Sequence, residues 1–403
     1  MKLLHVIQSA NPIHGGPIEG VRQIARIYRT HNIEAELVTH DLPDAPCIVD
    51  FPLKVHALGP CSLGRYGYSP RLLPWLRQNH QNYDCVIIHG LWQYHGYACW
   101  RTLRTTNTPY VVFTHGMLDP WFKRQYPLKH LKKWFYWGWR EYRVLRDAKA
   151  VLFTSEEERI LAAESFSAYR VNPFVVGYGV HIPNFDLEAV RQDFFAKHPR
   201  LRGKRLAIFV GRIHPKKGCE LLIEAFHQIL AHDPDWHLLM VGPDQVGWQA
   251  DLQLQSSRLG IADRITWTGM LKGESKWGAM AASEIFVLPS HQENFGIVVA
   301  EALACGLPAL ISSQVNIWRE VQNEGAGFVE QDTLAGTINL FRAWSRLDDS
   351  ERAAMRANSR RCFEKHFNLE HSSTRFLQLV QSLAQQDRHP EALTRFSKTG
   401  ATL

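Results

Sequence analysis

The sequence has no C-x-x-C pair. Its seven cysteines, Cys47, Cys61, Cys85, Cys99, Cys219, Cys305 and Cys362, stand apart and are odd in number, which argues against a zinc ribbon or a disulfide framework. No apolar run is long enough to span a membrane. The longest, Gly296 to Ile311, is interrupted by Glu301 and falls short of the roughly 18 residues a span needs. No export signal is expected, because Met1-Lys2-Leu3-Leu4-His5-Val6-Ile7 turns polar at once with Gln8 and Ser9. Neither G-x-x-x-x-G-K-[ST] nor G-x-G-x-x-G occurs, so the two commonest phosphate loops are excluded. Short repeats and low-complexity tracts are missing too. These absences describe a reduced, cytosolic chain, soluble or at most resting on a membrane surface.

What is present is ordinary in amount and informative in order. At 403 residues, 45% hydrophobic and 21% charged, the chain has material for two large globular domains. A net charge of +7, with 20 histidines in reserve, favours anionic partners without choosing among nucleic acid, acidic lipid and a diphosphate metabolite. Five short apolar runs, Leu3–Ile7, Ala35–Thr39, Cys85–His89, Tyr110–Thr114 and Ala150–Thr154, each end near a polar residue or glycine. That is the signature of parallel strands covered on both faces. Between the first two, Ile18, Val21, Ile24, Ala25 and Tyr28 keep a helical period. The second half repeats the scheme with Leu206–Val210, His237–Val241, Ile265–Trp267, Ile285–Leu288 and Ala309–Ser312, and with a helix carrying Leu221, Leu222, Ala225, Phe226 and Ile229. The expectation is α/β, two doubly wound domains joined between about Asn172 and Arg205, where Pro173, Gly177, Gly179, Pro183, Pro199 and Gly203 cluster. A cleft between them is the default ligand site.

Two segments carry chemistry. In Pro289-Ser290-His291-Gln292-Glu293-Asn294-Phe295-Gly296, a strand end gives way to a polar loop, and a helix is expected to start near Phe295 or Gly296 and close at Gly306 and Pro308. The N–H groups of Phe295, Gly296, Ile297 and Val298 would then meet phosphate oxygens with the positive end of the helix dipole. Glu301 sits in the otherwise apolar helix, where a carboxylate needs hydrogen-bond partners such as a pair of ribose hydroxyls. The second segment, Gly211-Arg212-Ile213-His214-Pro215-Lys216-Lys217-Gly218, places Arg212 and Lys217 on a glycine-bounded turn before a helix, a pairing suited to a diphosphate. Asp233-Pro234-Asp235 has the D-x-D form of metal-binding transferases but falls at a helix-ending turn, and no metal site is expected there.

Gly-Arg-x-x-x-x-Lys-Gly followed by Ser290-x-x-Glu293-x-Phe-Gly-x-x-x-x-Glu301-Ala resembles the donor half of the retaining glycosyltransferases of family four, which have the GT-B fold of two Rossmann-like domains facing across a cleft. The likeness is strongest from about Val175 to Val321. It extends to Gly15-Gly16-Pro17, similar to the family's glycine loop, to Thr114-His115-Gly116, similar to its histidine strand end, and to Gly177-Tyr178-Gly179-Val180, similar to its hinge. It departs at Gln314 to Val321, which lacks the family's paired glycines. The resemblance implies an acceptor-side domain over residues 1–172, a hinge over 173–205, a donor domain over 206–365, a helix over 366–387 crossing back to the first domain, and a tail over 388–403. It implies that Arg212 and Lys217 neutralise the leaving diphosphate, Glu301 holds the ribose, Glu293 binds sugar hydroxyls and His115 reaches the transferred sugar. Gly15 and Gly16 would let the first loop approach phosphate and acceptor. The donor would be a nucleotide-diphosphate sugar, with neither metal nor further cofactor. No carboxylate is identifiable as a covalent nucleophile, so the expected transfer has the acceptor hydroxyl attacking from the face the nucleotide leaves.

The first half has its own anomaly. Between Trp121 and Arg146 stand Lys123, Arg124, Lys129, Lys132, Lys133, Arg140, Arg143 and Arg146 against one acid, Glu141, with nine aromatic residues interleaved. Such a mixture suits an anionic membrane surface and a lipid-linked acceptor; a helix packed on the sheet with solvated cations explains the same letters. No nucleic-acid-binding signature accompanies the charge, so nucleic acid is not an expected partner. The expected function is sugar transfer from a nucleotide sugar to a glycan or lipid-linked acceptor in polysaccharide synthesis. A nucleotide-sugar epimerase of the same architecture and a non-catalytic basic membrane- or RNA-binding module are the alternatives.

Overall fold

The computed structural model describes residues 1–182 and 186–386. The tail expected from Arg388 and residues 183–185 of the expected hinge lie outside the described residues. The chain divides into two compact units, one comprising Met1–Gly179 with the helix Leu369–Gln386, the other Val180–Asn368.

The first unit is built on a seven-stranded sheet. Its strands are β1 (Lys2–Val6), β2 (Glu34–Thr39), β3 (Lys54–Ala57), β4 (Cys85–His89), β5 (Tyr110–Phe113), β6 (Ala150–Phe153) and β7 (Pro173–Val175), in the order β3-β2-β1-β4-β5-β6-β7. Every neighbouring pair is parallel. Both faces are covered. Leu4, Val86, Ile88, Val112 and Val151 face one core layer, while Leu3, Ile87, Val111 and Leu152 meet Phe376, Leu377 and Val380 of the helix Leu369–Gln386. The helix Gly16–Thr30 follows β1 and buries Ile18, Val21, Ala25 and Tyr28, as their period predicts.

The second unit has a six-stranded parallel sheet of β8 (Arg205–Val210), β9 (Trp236–Val241), β10 (Ile265–Gly269), β11 (Ile285–Leu288), β12 (Ala309–Ser312) and β13 (Gly327–Glu330), ordered β10-β9-β8-β11-β12-β13. Phe209, Phe226, Phe286, Phe341 and Trp344 are fully buried around it. Three strands escape the apolar-run pattern: β3, β7 and β13. All three are sheet edges whose residues are partly exposed, so they lack the continuous apolar run that betrays an interior strand.

Topology fixes where function can sit. In a doubly wound sheet the strand order reverses at one pair, and the loops leaving those two strands diverge to open a crevice at their carboxyl ends. In the second unit that pair is β8 and β11; in the first it is β1 and β4.

Candidate functional site

The loop after β8 and the loop after β11 meet at this switch point and are stitched together by backbone. The Lys216 carbonyl accepts from His291 N–H at 2.8 Å and from Ser290 Oγ at 2.9 Å. Gly218 makes the approach possible: its φ is +65°, and a Cβ there would lie 2.3 Å from the Pro289 carbonyl oxygen. The turn Pro215–Lys217 is held by His214, whose Nδ1 accepts from Lys216 N–H at 3.1 Å. The result is an ion pair between Lys217 Nζ and Glu293 Oε2, both largely shielded, joining residues 76 apart in sequence. Arg212, on the exposed start of the same loop, is held by Gln245 Oε1 at 2.6 Å.

The Glu293 loop is fixed on its other side by Gln314 to Asn316. Glu293 N–H donates to the Gln314 carbonyl at 2.9 Å, and Asn316 N–H to the Glu293 carbonyl at 3.0 Å, a short parallel bridge. This is how the stretch without paired glycines meets the site. The helix runs Ile297–Ala304 with Gly296 as its cap, so it starts later than the sequence pattern predicts. Phe295 and Gly296 therefore precede the helix, Ile297 and Val298 open it, and Val299 N–H is already taken by the Gly296 carbonyl at 2.8 Å. Glycine reaches the left-handed conformation of this cap without steric cost, which is why the helix waits for the residue after it.

Glu301 is 7% exposed, and its Oε1 receives Lys276 Nζ at 2.6 Å. Lys276 had no sequence signal: it lies on another helix, Gly273–Ala281, 25 residues before Glu301. His291 is a second residue the motif reading passed over. Its ring bridges Glu220 at 3.5 Å and Asp332 at 2.8 Å, and hydrogen bonds to these two carboxylates, Glu220 foremost, raise its pKa to about 9. The folded value lies above the unfolded value of about 6.5, so the stabilisation is complete below that pH and is lost as pH rises through about 9. Thermal unfolding of the second unit is expected to fall from about pH 7 to pH 9 more steeply in the wild type than in His291→Gln; equal slopes would remove this role. Asp233 and Asp235 sit on the turn before β9 beside Arg205 and Lys204, at 3.6 and 3.9 Å.

In the first unit, Gly15 has φ +91° and caps the helix that Gly16 and Pro17 begin; no atom crowds the position, so only the backbone angle asks for glycine. His115 follows β5 at φ +48° and lines a cavity of about 50 Å³ with His5, His89, Phe113, Tyr178 and Phe376. Its loop is braced by a residue without any sequence signal, Glu158. This carboxylate is 3% exposed and accepts four hydrogen bonds: Thr114 Oγ1 and Gly116 N–H on Oε1, Thr154 N–H and Oγ1 on Oε2, all at 2.6–2.7 Å.

The segment from Trp121 to Arg146 folds as Trp121–Gln125, Pro127–Tyr136, a π turn Trp137–Glu141 and Tyr142–Arg146. Trp137 is buried, stacked on Phe166 at 4.6 Å. Glu141 is buried as well, accepting from Trp92 N–H at 3.1 Å, and burial raises its pKa to about 7. By contrast Leu128, Leu131, Trp134, Phe135 and Trp139 are exposed, from 48% to 80%. Packing on the core accounts for part of the aromatic excess and leaves the rest on the surface.

Two doubly wound parallel sheets, each with its own switch point, are the architecture of the GT-B class. Solved structures agree at the level of fold. The glycosyltransferase of Rickettsia africae superposes with a TM-score of 0.76 at 15% identity, covering 95% of this chain and 98% of that one. HepE of Anabaena, solved in complex with UDP, gives 0.74 at 19% identity, covering 95% and 100%. Residues 15–179 match the glycosyl transferase 4-like domain, and residues 190–361 match glycosyl transferases group 1. The chain belongs to the family-four type of glycosyltransferases. Among relatives over nearly the whole length is the GDP-mannose:cellobiosyl-diphosphopolyprenol alpha-mannosyltransferase of Xanthomonas campestris, 25% identical over 367 residues and covering 89% of each chain.

Proposed function

We propose that the protein transfers a hexose from a nucleoside-diphosphate sugar to a lipid-linked glycan acceptor, with retention of anomeric configuration, in polysaccharide synthesis. The observation that carries this is the Lys217–Glu293 ion pair just ahead of the helix Ile297–Ala304, with Arg212 at the start of the loop that carries Lys217. Lys217 and Arg212 neutralise the diphosphate as it leaves. N–H groups at the head of the helix hold its oxygens. Glu293, released from Lys217 by the incoming phosphate, is free to accept from sugar hydroxyls, and Glu301 holds the ribose. His115 contacts the sugar, and Gly15 and Gly16 keep the first loop low over phosphate and acceptor. In the transfer the anomeric carbon loses its bond to the diphosphate oxygen and gains one to the acceptor oxygen on the same face. The acceptor proton passes to the departing phosphate. The donor is the sole small molecule required, with no metal and no cofactor.

The names of the Xanthomonas relatives support GDP-mannose as the first donor to try and a diphosphopolyprenol-linked sugar as the first acceptor. Nucleoside diphosphate should be released from the donor only when acceptor is added, with a sugar added to the acceptor in the same anomeric form. Release without acceptor, or epimerised donor, would refute the transferase; failure of any nucleoside diphosphate to raise the unfolding temperature would refute the binding site.

A lipid-linked acceptor asks for a surface near lipid. Among the described residues, no helix is long and apolar enough to cross a membrane. Leu128, Leu131, Phe135 and Trp139 fall on one helical face, with Lys129 and Lys132 exposed beside them. This face docks on anionic lipid at the cytoplasmic side of the membrane. Vesicles of about 30% anionic lipid should sediment the protein and purely zwitterionic ones far less, with Phe135→Ser/Trp139→Ser reducing binding by about tenfold. Sedimentation indifferent to lipid charge would exclude it.

A further inference from the structure

Behind His115 runs a line of hydrogen bonds that sugar contact alone does not require. Tyr28 Oη lies 2.7 Å from His5 Nε2, His5 Nδ1 lies 2.8 Å from His89 Nε2, and His89 Nδ1 lies 3.0 Å from His115 Nε2. Successive imidazole planes are within 20° of parallel. Three different elements supply the line: Tyr28 comes from the helix after β1, His5 from β1 and His89 from β4. Burial lowers the pKa of His5 and His115 to about 3 and takes His89 well below its usual value, so all three rings are neutral near pH 7.

A neutral imidazole has one donor nitrogen and one acceptor nitrogen. Three such rings in series must therefore all point the same way, and two arrangements exist. In the first, Tyr28 O–H donates to His5 Nε2, and each ring carries its hydrogen on Nδ1 and passes it toward His115. In the second, each ring carries its hydrogen on Nε2 and Tyr28 accepts. The second arrangement strands the Tyr28 proton, because the residue is 1% exposed and its hydroxyl has His5 as its partner among the described hydrogen bonds. A buried donor without an acceptor lowers the population of that arrangement by roughly tenfold to a hundredfold. The neighbouring His95 does not alter the count, since its Nε2 donates to the backbone carbonyl of His89 at 2.8 Å and leaves the His89 ring alone.

We infer that Tyr28, His5 and His89 hold His115 in its Nδ1–H tautomer, so that this histidine offers the substrate a hydrogen-bond donor and is unavailable as a base. Tyr28, His5 and His89 are positioning residues. The consequence for catalysis rests on the proposed sugar contact of His115: an imidazole fixed as donor can orient a sugar oxygen but cannot take the acceptor proton, which leaves that proton to the phosphate.

The test uses the full chain labelled with 15N-histidine. Two-bond 1H–15N correlation spectra, assigned with single His→Asn variants, report which nitrogen of each ring carries hydrogen. The expected result is Nδ1–H at His5, His89 and His115. Tyr28→Phe, which removes the anchoring hydroxyl, should let His115 populate Nε2–H and lower kcat about tenfold, the scale of one lost hydrogen bond. Nε2–H at His115 in the wild type overturns the inference, whether or not the variant folds, and so does an unchanged tautomer in a folded Tyr28→Phe. Wild-type turnover in His115→Ala, together with an Nδ1–H signal in the unmodified protein, would overturn the sugar contact and leave the tautomer assignment standing.

Discussion

Lys217→Ala is expected to lower turnover by roughly 10² to 10³, the scale seen when one preorganised charge-stabilising donor is removed from a leaving group. The expectation rests on burial as much as on charge. Lys217 is shielded between two loops whose backbones are bonded to each other, so its ammonium is held in place before substrate arrives. Its present partner, Glu293, is an anion that a diphosphate would replace. The same substitution should weaken nucleoside diphosphate binding in calorimetry, and Glu293→Gln should not, because the carboxylate competes with the phosphate for the same cation. Turnover near wild type in Lys217→Ala would withdraw the leaving-group assignment. Arg212→Ala should behave similarly, although its guanidinium is exposed and anchored by one glutamine.

Glu158→Gln is expected to destabilise the first unit by about 2 to 6 kcal/mol, since buried donors left without acceptors cost roughly 1 to 3 kcal/mol each. The geometry leaves the amide no good orientation. Each carboxylate oxygen faces one backbone N–H, from Gly116 on one side and Thr154 on the other, so either rotamer sets an amide NH2 against a backbone donor. Hydroxyls of Thr114 and Thr154 can turn to accommodate the change, but the backbone N–H groups cannot. Glu158→Ala leaves both backbone donors unmet and should be worse. Urea unfolding followed by tryptophan fluorescence measures the effect, and a midpoint equal to wild type in Glu158→Gln would sink the bracing role. A loss of this size is a large part of a typical domain's stability of about 5 to 15 kcal/mol.

The interior strands of both sheets were legible because a parallel strand buried on both faces leaves an unbroken apolar run, as Cys85–His89 and Ile285–Leu288 do. The edge strands Lys54–Ala57, Pro173–Val175 and Gly327–Glu330 were not, because most of their residues stay partly exposed. The candidate site shows the same division. Arg212, Lys217, Glu293 and Glu301 stand out locally, as charges at strand ends or inside an apolar helix.

The partners of these residues came only from tertiary structure. Lys276 on Glu301, Glu220 and Asp332 on His291, Glu158 beneath His115 and the line from Tyr28 to His89 join residues from 23 to 84 positions apart. No local period or spacing encodes which of many charged or polar residues will meet across such distances. By itself the sequence determined that the chain makes two doubly wound α/β units and which charged residues stand at its strand ends, because hydrophobic periodicity and turn residues act over a few positions. Strand order decided which loops meet at β1–β4 and β8–β11, and the packing of each assembled unit decided which charges are paired and which glutamate holds the backbone beside His115, because these are properties of the assembled sheet and not of any local stretch.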